Sequence, residues 1–262
     1  MCFFYAKKGV WCLCPRLFNQ NCLEGMQSIP DGSIDLILCD LPYGTTDCKW
    51  DSIIPFDLLW EQYNRIAKDN AAIVLFAAQP FTTKLINSNL KQFRYCWYWK
   101  KKNKTGFTFA KYQPMRCIED ICVFYKKAPV YNPQGLVELK VPKARQKTGV
   151  DLTADTIYKW DTLLNPYTQR FTNYPVHLLE YAKDPNSVHP TQKPVALLEY
   201  LIRTYTNEGA TVLDNCMGSG STGVAAINTN RKFIGFELES KYFKIAEQRI
   251  NAAVFQYAPG TV

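Results

Sequence analysis

Six short, largely apolar runs, at residues 34–39, 72–77, 94–99, 121–125, 211–213 and 232–236, limit the fold of this 262-residue chain more than any other feature. Runs this short, rich in Ile, Val, Leu and aromatics and ending in polar segments, are what strands look like when both faces of a sheet are covered. Helical patterns lie between some of them. Phe56, Leu59, Trp60 and Tyr63 recur at three and four residues, as do Leu197, Leu198, Leu201 and Ile202 after Pro194. Proline can open a helix, because the amide it lacks would be unpaired there anyway. Tyr242, Ile245, Ala246, Arg249 and Ile250 repeat the spacing after Ser240, which is read as an N-cap. Strands alternating with helices predict an α/β fold, Rossmann-like and doubly wound, with a mostly parallel sheet. Residues 128–185 break this rhythm: six prolines, dispersed charge and little periodicity mark an insertion. The expected division is one domain in two halves, residues 1–126 and 187–262, with an inserted lobe at 127–186.

Composition removes other classes. With 47% hydrophobic and 21% charged residues the chain is globular, not disordered, collagenous or coiled-coil. No run reaches the roughly eighteen apolar residues of a membrane span, and the first residues lack a secretion leader, so no membrane and a cytoplasmic location are expected. Ten cysteines scattered without scaffold spacing suit a reducing compartment, most of them as small buried hydrophobes. Cys2, Cys12, Cys14 and Cys22 crowd one end, but C-x-C followed by seven residues and another Cys is not a usual zinc spacing. No metal site is predicted.

The formal charge of +8 is concentrated. Residues 91–147 hold 14 Lys or Arg against three acids, leaving 17 basic and 20 acidic residues elsewhere. Lys100, Lys101, Lys102 and Lys104 are interleaved with Trp97, Tyr98, Trp99, Phe107 and Phe109. Cations suit a phosphate backbone and flat rings suit unstacked bases; a solvated loop beside a buried aromatic strand would look the same on this segment alone.

Two motifs carry chemistry. The strand ending at Asp214 runs into a turn with Gly218, Gly220 and Gly223, then a small-residue helix. Such glycines let backbone approach a ligand at a helix N-terminus, and Glu237, at the end of the next strand, is placed to accept from ribose hydroxyls. A nucleoside cofactor is implied, without its identity. Second, the run at 34–39 ends in Asp40-Leu41-Pro42-Tyr43-Gly44, putting a carboxylate, a rigid turn and a ring at the carboxyl edge of a buried strand. An exocyclic amine on a base is a poor nucleophile, its lone pair being delocalised. The Asp40 carboxylate and Leu41 carbonyl, accepting its hydrogens, would draw that nitrogen toward tetrahedral geometry, with Tyr43 stacked on the base. An Asp capping an ordinary Pro-Gly turn is the plainer alternative.

Asp40-Leu41-Pro42-Tyr43 resembles the (D/N/S)-P-P-(Y/F) motif of amino-group DNA methyltransferases, and Asp214 to Gly220 resembles their D-P-F-x-G-S-G cofactor loop. His189-Pro190-Thr191-Gln192-Lys193-Pro194 is similar to the H-P-T-Q-K-P signature of their beta subclass, in which the catalytic motif comes first and the cofactor loop last. Gly235-Phe236-Glu237 and the strand at 116–125 also resemble family elements. The resemblance covers about residues 21–126 and 187–252 and implies a seven-stranded methyltransferase sheet with an inserted target-recognition lobe. It implies S-adenosylmethionine held by Asp214, Cys216, Gly218, Gly220 and Glu237, with Thr191 and Lys193 lining the other side. His189 is read as a positioning residue. Leu41 replaces a proline whose role uses its carbonyl; Cys216 replaces a phenylalanine against the cofactor. The implied activity is methylation of adenine N6 in double-stranded DNA on a flipped-out base, since Asp rather than Ser opens the motif. N4-cytosine methylation is the alternative, with RNA also open. The implied partners are DNA, a second copy of the chain as in dimers of the subclass, and a cognate restriction endonuclease. A catalytically inactive subunit would lose the acid or the glycines. An NAD-dependent dehydrogenase would leave Asp40 to Tyr43 and the basic segment unexplained.

Overall fold

The computed structural model describes residues 14–44, 52–145, 167–185 and 192–257. The elements, in chain order, are β1 (Arg16–Phe18), α1 (Cys22–Met26), β2 (Ile34–Asp40), α2 (Phe56–Ile66), β3 (Ala67–Ala77), α3 (Phe81–Ser88), β4 (Phe93–Thr105), a 3-10 turn (Phe107–Phe109), β5 (Arg116–Phe124), β6 (Val137–Arg145), β7 (Tyr167–Thr172), β8 (Leu178–Tyr181), α4 (Val195–Tyr205), β9 (Thr211–Asp214), α5 (Ser221–Asn228), β10 (Lys232–Phe236) and α6 (Ser240–Tyr257). All six apolar runs are strands. Ser240 is the first residue of α6 rather than its cap, and its hydroxyl donates to Asn19 Oδ1 at 2.6 Å.

The main sheet runs β1-β10-β9-β2-β3-β5-β4-β8. Every neighbouring pair is parallel except those of β5, which is antiparallel to both β3 and β4. The described sheet thus has eight strands where the resemblance implies seven. The extra one is β8, which comes from the stretch assigned to the insertion and pairs with β4 from Tyr98↔Leu178 to Lys101↔Tyr181. It escapes sequence patterning because only four residues pair, and only Leu179 among them is buried.

Alternation along the strands builds two cores. Leu36 and Leu38 of β2, Val74 and Phe76 of β3 and Ile121 and Val123 of β5 face α4, α5 and α6. Ile37 and Cys39, Ile73 and Leu75, and Cys122 and Phe124 face α1, α2 and α3. Covering both faces requires the near-continuous apolar runs from which the sheet is read. Chain order reverses between β2 and β9, which pair through Leu36↔Val212 and Ile37↔Leu213; the carboxyl ends at such a switch point open a crevice for ligands. Asp40 and Asp214 end those two strands.

Residues Pro133–Val176 form a separate compact unit, narrower than the expected 127–186. It contains the antiparallel pair β6–β7, and Asn173 donates to the Gly135 carbonyl at 2.6 Å. No described helix is long and apolar enough to cross a membrane.

Candidate active site

A cavity of about 640 Å³ is lined by Asp40, Leu41, Pro42 and Tyr43 on one side and by Asp214, Cys216, Gly218 and Glu237 on the other. The two motifs, more than 170 residues apart in sequence, therefore share one space.

Asp40 continues the Leu36, Leu38 side of β2 and is its last residue paired with β3, opposite Phe76. Its Oδ1 accepts from the Tyr43 hydroxyl at 2.8 Å and its Oδ2 from Lys193 Nζ at 2.6 Å. The Tyr43 ring stacks on Phe81, with centroids 5.0 Å apart. Leu41 is buried and anchors the turn in the α1–α3 core. The resemblance implies that Lys193 lines the cofactor site from the other side. Lys193 lines the shared cavity and precedes α4 with 7% of its side chain exposed, bridging Asp40 and Glu119, whose Oε2 lies 3.3 Å from Nζ. The ammonium also sits 5.2 Å from the centroid of the Phe76 ring, a favourable face for a cation.

Lys101 corrects the basic-patch expectation. Along β4 Trp97, Trp99 and Lys101 point to one face, so Lys101 is buried and donates to Glu119 Oε1 at 2.8 Å. Lys100, on the other face, pairs with Glu180 at 2.9 Å, and Lys102 and Lys104 are exposed. Sequence reasoning misses Glu119, and misplaces Lys101, as residues of this site. The signal is nevertheless there: Ile121 and Val123 are buried on β5, so period two places Glu119 on their face.

The electrostatics follow from burial and pairing. Burial pushes Asp40 above the ordinary carboxylate range, aided by the Glu119 charge and opposed by Lys193 and the Tyr43 hydroxyl. Burial pulls the Lys193 ammonium down, but Asp40 and Glu119 outweigh it and hold its pKa above the usual lysine value. Glu119 is lowered: burial acts to raise it, and Lys193 and Lys101 together overcome that. Burial lifts Asp214 to about 6, against hydrogen bonds from Thr222 and the Cys216 amide. Cys39, lifted to about 12 by burial, is a neutral thiol and no nucleophile.

The glycine turn is tied down from several sides. Glu237 Oε2 accepts from Gly218 N at 2.8 Å, Asp214 Oδ1 from Cys216 N at 3.0 Å, and Arg249 donates to the Ser219 carbonyl at 2.6 Å. Gly218 and Gly220 have φ of +52° and +80°. Their surroundings differ. A Cβ on Gly218 would meet nothing within 4 Å, whereas one on Gly220 would lie 2.9 Å from Ala246 Cα of α6. Gly220 therefore serves the approach of α5 to α6 rather than lining the cavity. Thr191 and His189 lie outside the described residues, as do Cys2 and Cys12; among the described residues no cluster of His, Cys, Asp or Glu could hold a metal.

The family profile for N6/N4 DNA methylases matches residues 34–248. The chain belongs to this DNA methylase family. Members are S-adenosylmethionine-dependent methyltransferases. Among curated relatives, the type II methyltransferase M.HpaI of Haemophilus parainfluenzae is 28% identical over 251 residues, covering 90% of this chain and 74% of that protein. The DNA adenine methyltransferase YhdJ of Escherichia coli (strain K12) is 28% identical over 255 residues, covering 90% and 83%. Among solved structures, the PvuII DNA methyltransferase, described as cytosine-N4-specific, superposes with a TM-score of 0.63 at 17% identity, covering 92% of this chain and 91% of that one. That likeness concerns the fold. The methylase profile spans both the Asp40 turn and the glycine turn, which line the shared cavity.

Proposed function

We propose that this DNA methylase transfers a methyl group from S-adenosylmethionine to the N6 amino group of an adenine turned out of duplex DNA into the cavity. The single observation that supports it is the cavity that joins Asp40 to Gly218 and Glu237. The donor fits the glycine side: Gly218 opens onto free space, Glu237 presents a carboxylate for ribose hydroxyls, and Asp214 offers a second acid for the cationic methionine end. Bound there, S-adenosylmethionine supplies an electrophilic methyl group on a sulfonium.

The chain's own residues then prepare the nucleophile. Each oxygen of Asp40 has two acceptor positions, so Tyr43 and Lys193 can hold the carboxylate while it accepts one amino hydrogen. The Leu41 carbonyl accepts the other. Held this way, the nitrogen lone pair is drawn out of the ring toward the methyl group. The surplus proton on the methylated amine leaves through Asp40 to water. Tyr43 stacks on the base, backed by Phe81. Sequence recognition is given to the inserted lobe, residues 133–176.

Asp as the first residue of the catalytic motif favours adenine, and YhdJ, similar along most of the chain, is named an adenine methyltransferase. N4-cytosine methylation is the second reading, since the matching family profile covers N6 and N4 methylases alike. Single-molecule sequencing of plasmid DNA co-expressed with the protein tests both. N6-methyladenine at one recurring sequence, absent with Asp40→Ala, is expected; N4-methylcytosine would overturn the assigned base. Unmodified DNA from a folded protein would overturn the reading altogether.

A further inference from the structure

The β4–β5 hairpin carries three large rings that the active site does not use. Beyond the Thr105↔Arg116 pair the chain turns through Gly106, with φ of +91°, into the 3-10 turn Phe107–Phe109. Backbone bonds fix this tip: Phe109 N donates to Gly106 O at 3.0 Å, Ala110 N to Phe107 O at 3.0 Å and Tyr112 N to Phe109 O at 2.9 Å. Its rings nevertheless point outward. Phe107 is 81%, Phe109 54% and Tyr112 87% exposed, and none of the three stacks on another described ring.

Two further observations say what covers them. Lys102, Lys104, Lys111 and Arg116 flank and interleave the rings along the chain, all exposed and none paired with a described acid, while residues 102–116 contain no acid at all. Thr105, Arg116 and Ile118 also line the active-site cavity, so the tip rises from its rim. A second copy of the chain meeting this surface about a two-fold axis would bring its own cations against these. A polyanion with flat faces to offer suits both features.

We propose that the tip, residues 106–115, is a wedge for duplex DNA, resting on the methyltransferase reading above. Its rings enter the stack beside the target base and cover the faces that its departure exposes, while the lysines contact flanking phosphates. Removing one base from a duplex costs the stacking on both neighbours, and an inserted ring restores part of it.

The test uses the full chain and two DNAs containing the sequence found by plasmid sequencing: a matched duplex, and the same strand with its target base in an unpaired bubble. Replacing the rings together (Phe107→Ala, Phe109→Ala, Tyr112→Ala) should lower kcat/KM on the duplex by about tenfold or more, yet leave the bubble within about threefold of the unaltered protein. Because the bubble needs no wedge, its methylation also reports that the variant is folded. Equal losses on both DNAs, or no loss on the duplex, would overturn the wedge. So would a dimer that the substitutions convert to monomer in sedimentation, with the activity loss tracking dissociation. If the unaltered protein methylates neither DNA, the methyltransferase reading itself has failed.

Discussion

Lys193 Nζ lies 2.6 Å from Asp40 Oδ2 and 3.3 Å from Glu119 Oε2, so one buried ammonium joins a carboxylate of β2 to a carboxylate of β5. Asp40 must be ionised to accept an amino hydrogen, and burial works against ionisation. Lys193 opposes that effect of burial, as does the Tyr43 hydroxyl. Lys193→Met should therefore raise the Asp40 pKa further and move the acid limb of the kcat–pH profile to higher pH. At pH 7 kcat should fall by about tenfold or more, the loss expected when a preorganised charge is removed from a reacting centre. Cofactor binding by calorimetry controls for folding. An acid limb that stays in place would show that Lys193 does not tune Asp40.

Tyr43 has two separable interactions, a hydroxyl on Asp40 at 2.8 Å and a ring on Phe81. Tyr43→Phe keeps the ring and loses the hydrogen bond to a charged acceptor, so kcat should drop roughly tenfold while KM for DNA stays within about twofold. Tyr43→Ala also removes the stack, adding about 1–3 kcal/mol to the cost of capturing the base. Steady-state kinetics on one duplex separate the two. If Tyr43→Phe is as impaired in KM as Tyr43→Ala, the ring is not the base platform.

Asp214 titrates at about 6 because it is buried. A carboxyl raised to that value is mostly neutral at pH 5 and mostly ionised at pH 7. If its charge holds the cationic end of the cofactor, affinity should strengthen by about tenfold between those pH values. Asp214→Asn should bind weakly and flatten the dependence. Calorimetric titration with S-adenosylmethionine at three pH values checks it; a slope that survives in Asp214→Asn would place the titrating group elsewhere.

The two glycines of the turn should fail in different ways. Gly220→Ala forces a left-handed residue and drives a Cβ to 2.9 Å from the Ala246 backbone. It should destabilise the fold by at least about 2 kcal/mol, read as a lowered Tm. In Gly218→Ala the new methyl group meets open space. It should cost only the backbone strain, about 1–2 kcal/mol, but weaken cofactor binding. Equal effects on Tm and affinity in both variants would contradict this division.

Much of this site is written in local pattern, and the rest depends on which way a strand faces. The β2 and β9 ends are legible because an apolar run stops at an acid and a turn follows, a signal contained within ten residues. The partnership of Asp40 with Lys193 is not, since it joins residues 153 positions apart through a sheet order that no local window contains. In the sequence Lys193 is tied to the cofactor side only through the His189 to Pro194 signature, and nothing local pairs it with a carboxylate. Its burial follows from two carboxylates arriving from β2 and β5. Lys101 misleads in the opposite sense: within a run of like charges, composition suggests one surface, whereas strand alternation splits the run between two faces. β8 escapes for lack of length, being four residues between Pro175 and Pro185.

That split yields the sharpest test among the lysines. Lys102 and Lys104 are exposed near the cavity rim, and each phosphate that the protein no longer neutralises should reduce the slope of log K against log salt by about one unit. Lys102→Ala with Lys104→Ala should therefore flatten the salt dependence of DNA affinity and leave kcat at saturating DNA within about twofold. Lys101→Ala should do the reverse. It leaves the Glu119 carboxylate with Lys193 as its remaining ion-pair partner among the described residues. Lys193 should then be drawn from Asp40 toward Glu119, lowering kcat with the salt slope unchanged. Fluorescence anisotropy across a salt series, paired with turnover at saturation, reads both quantities on each variant. A flattened slope in Lys101→Ala would return that residue to the phosphate-binding surface.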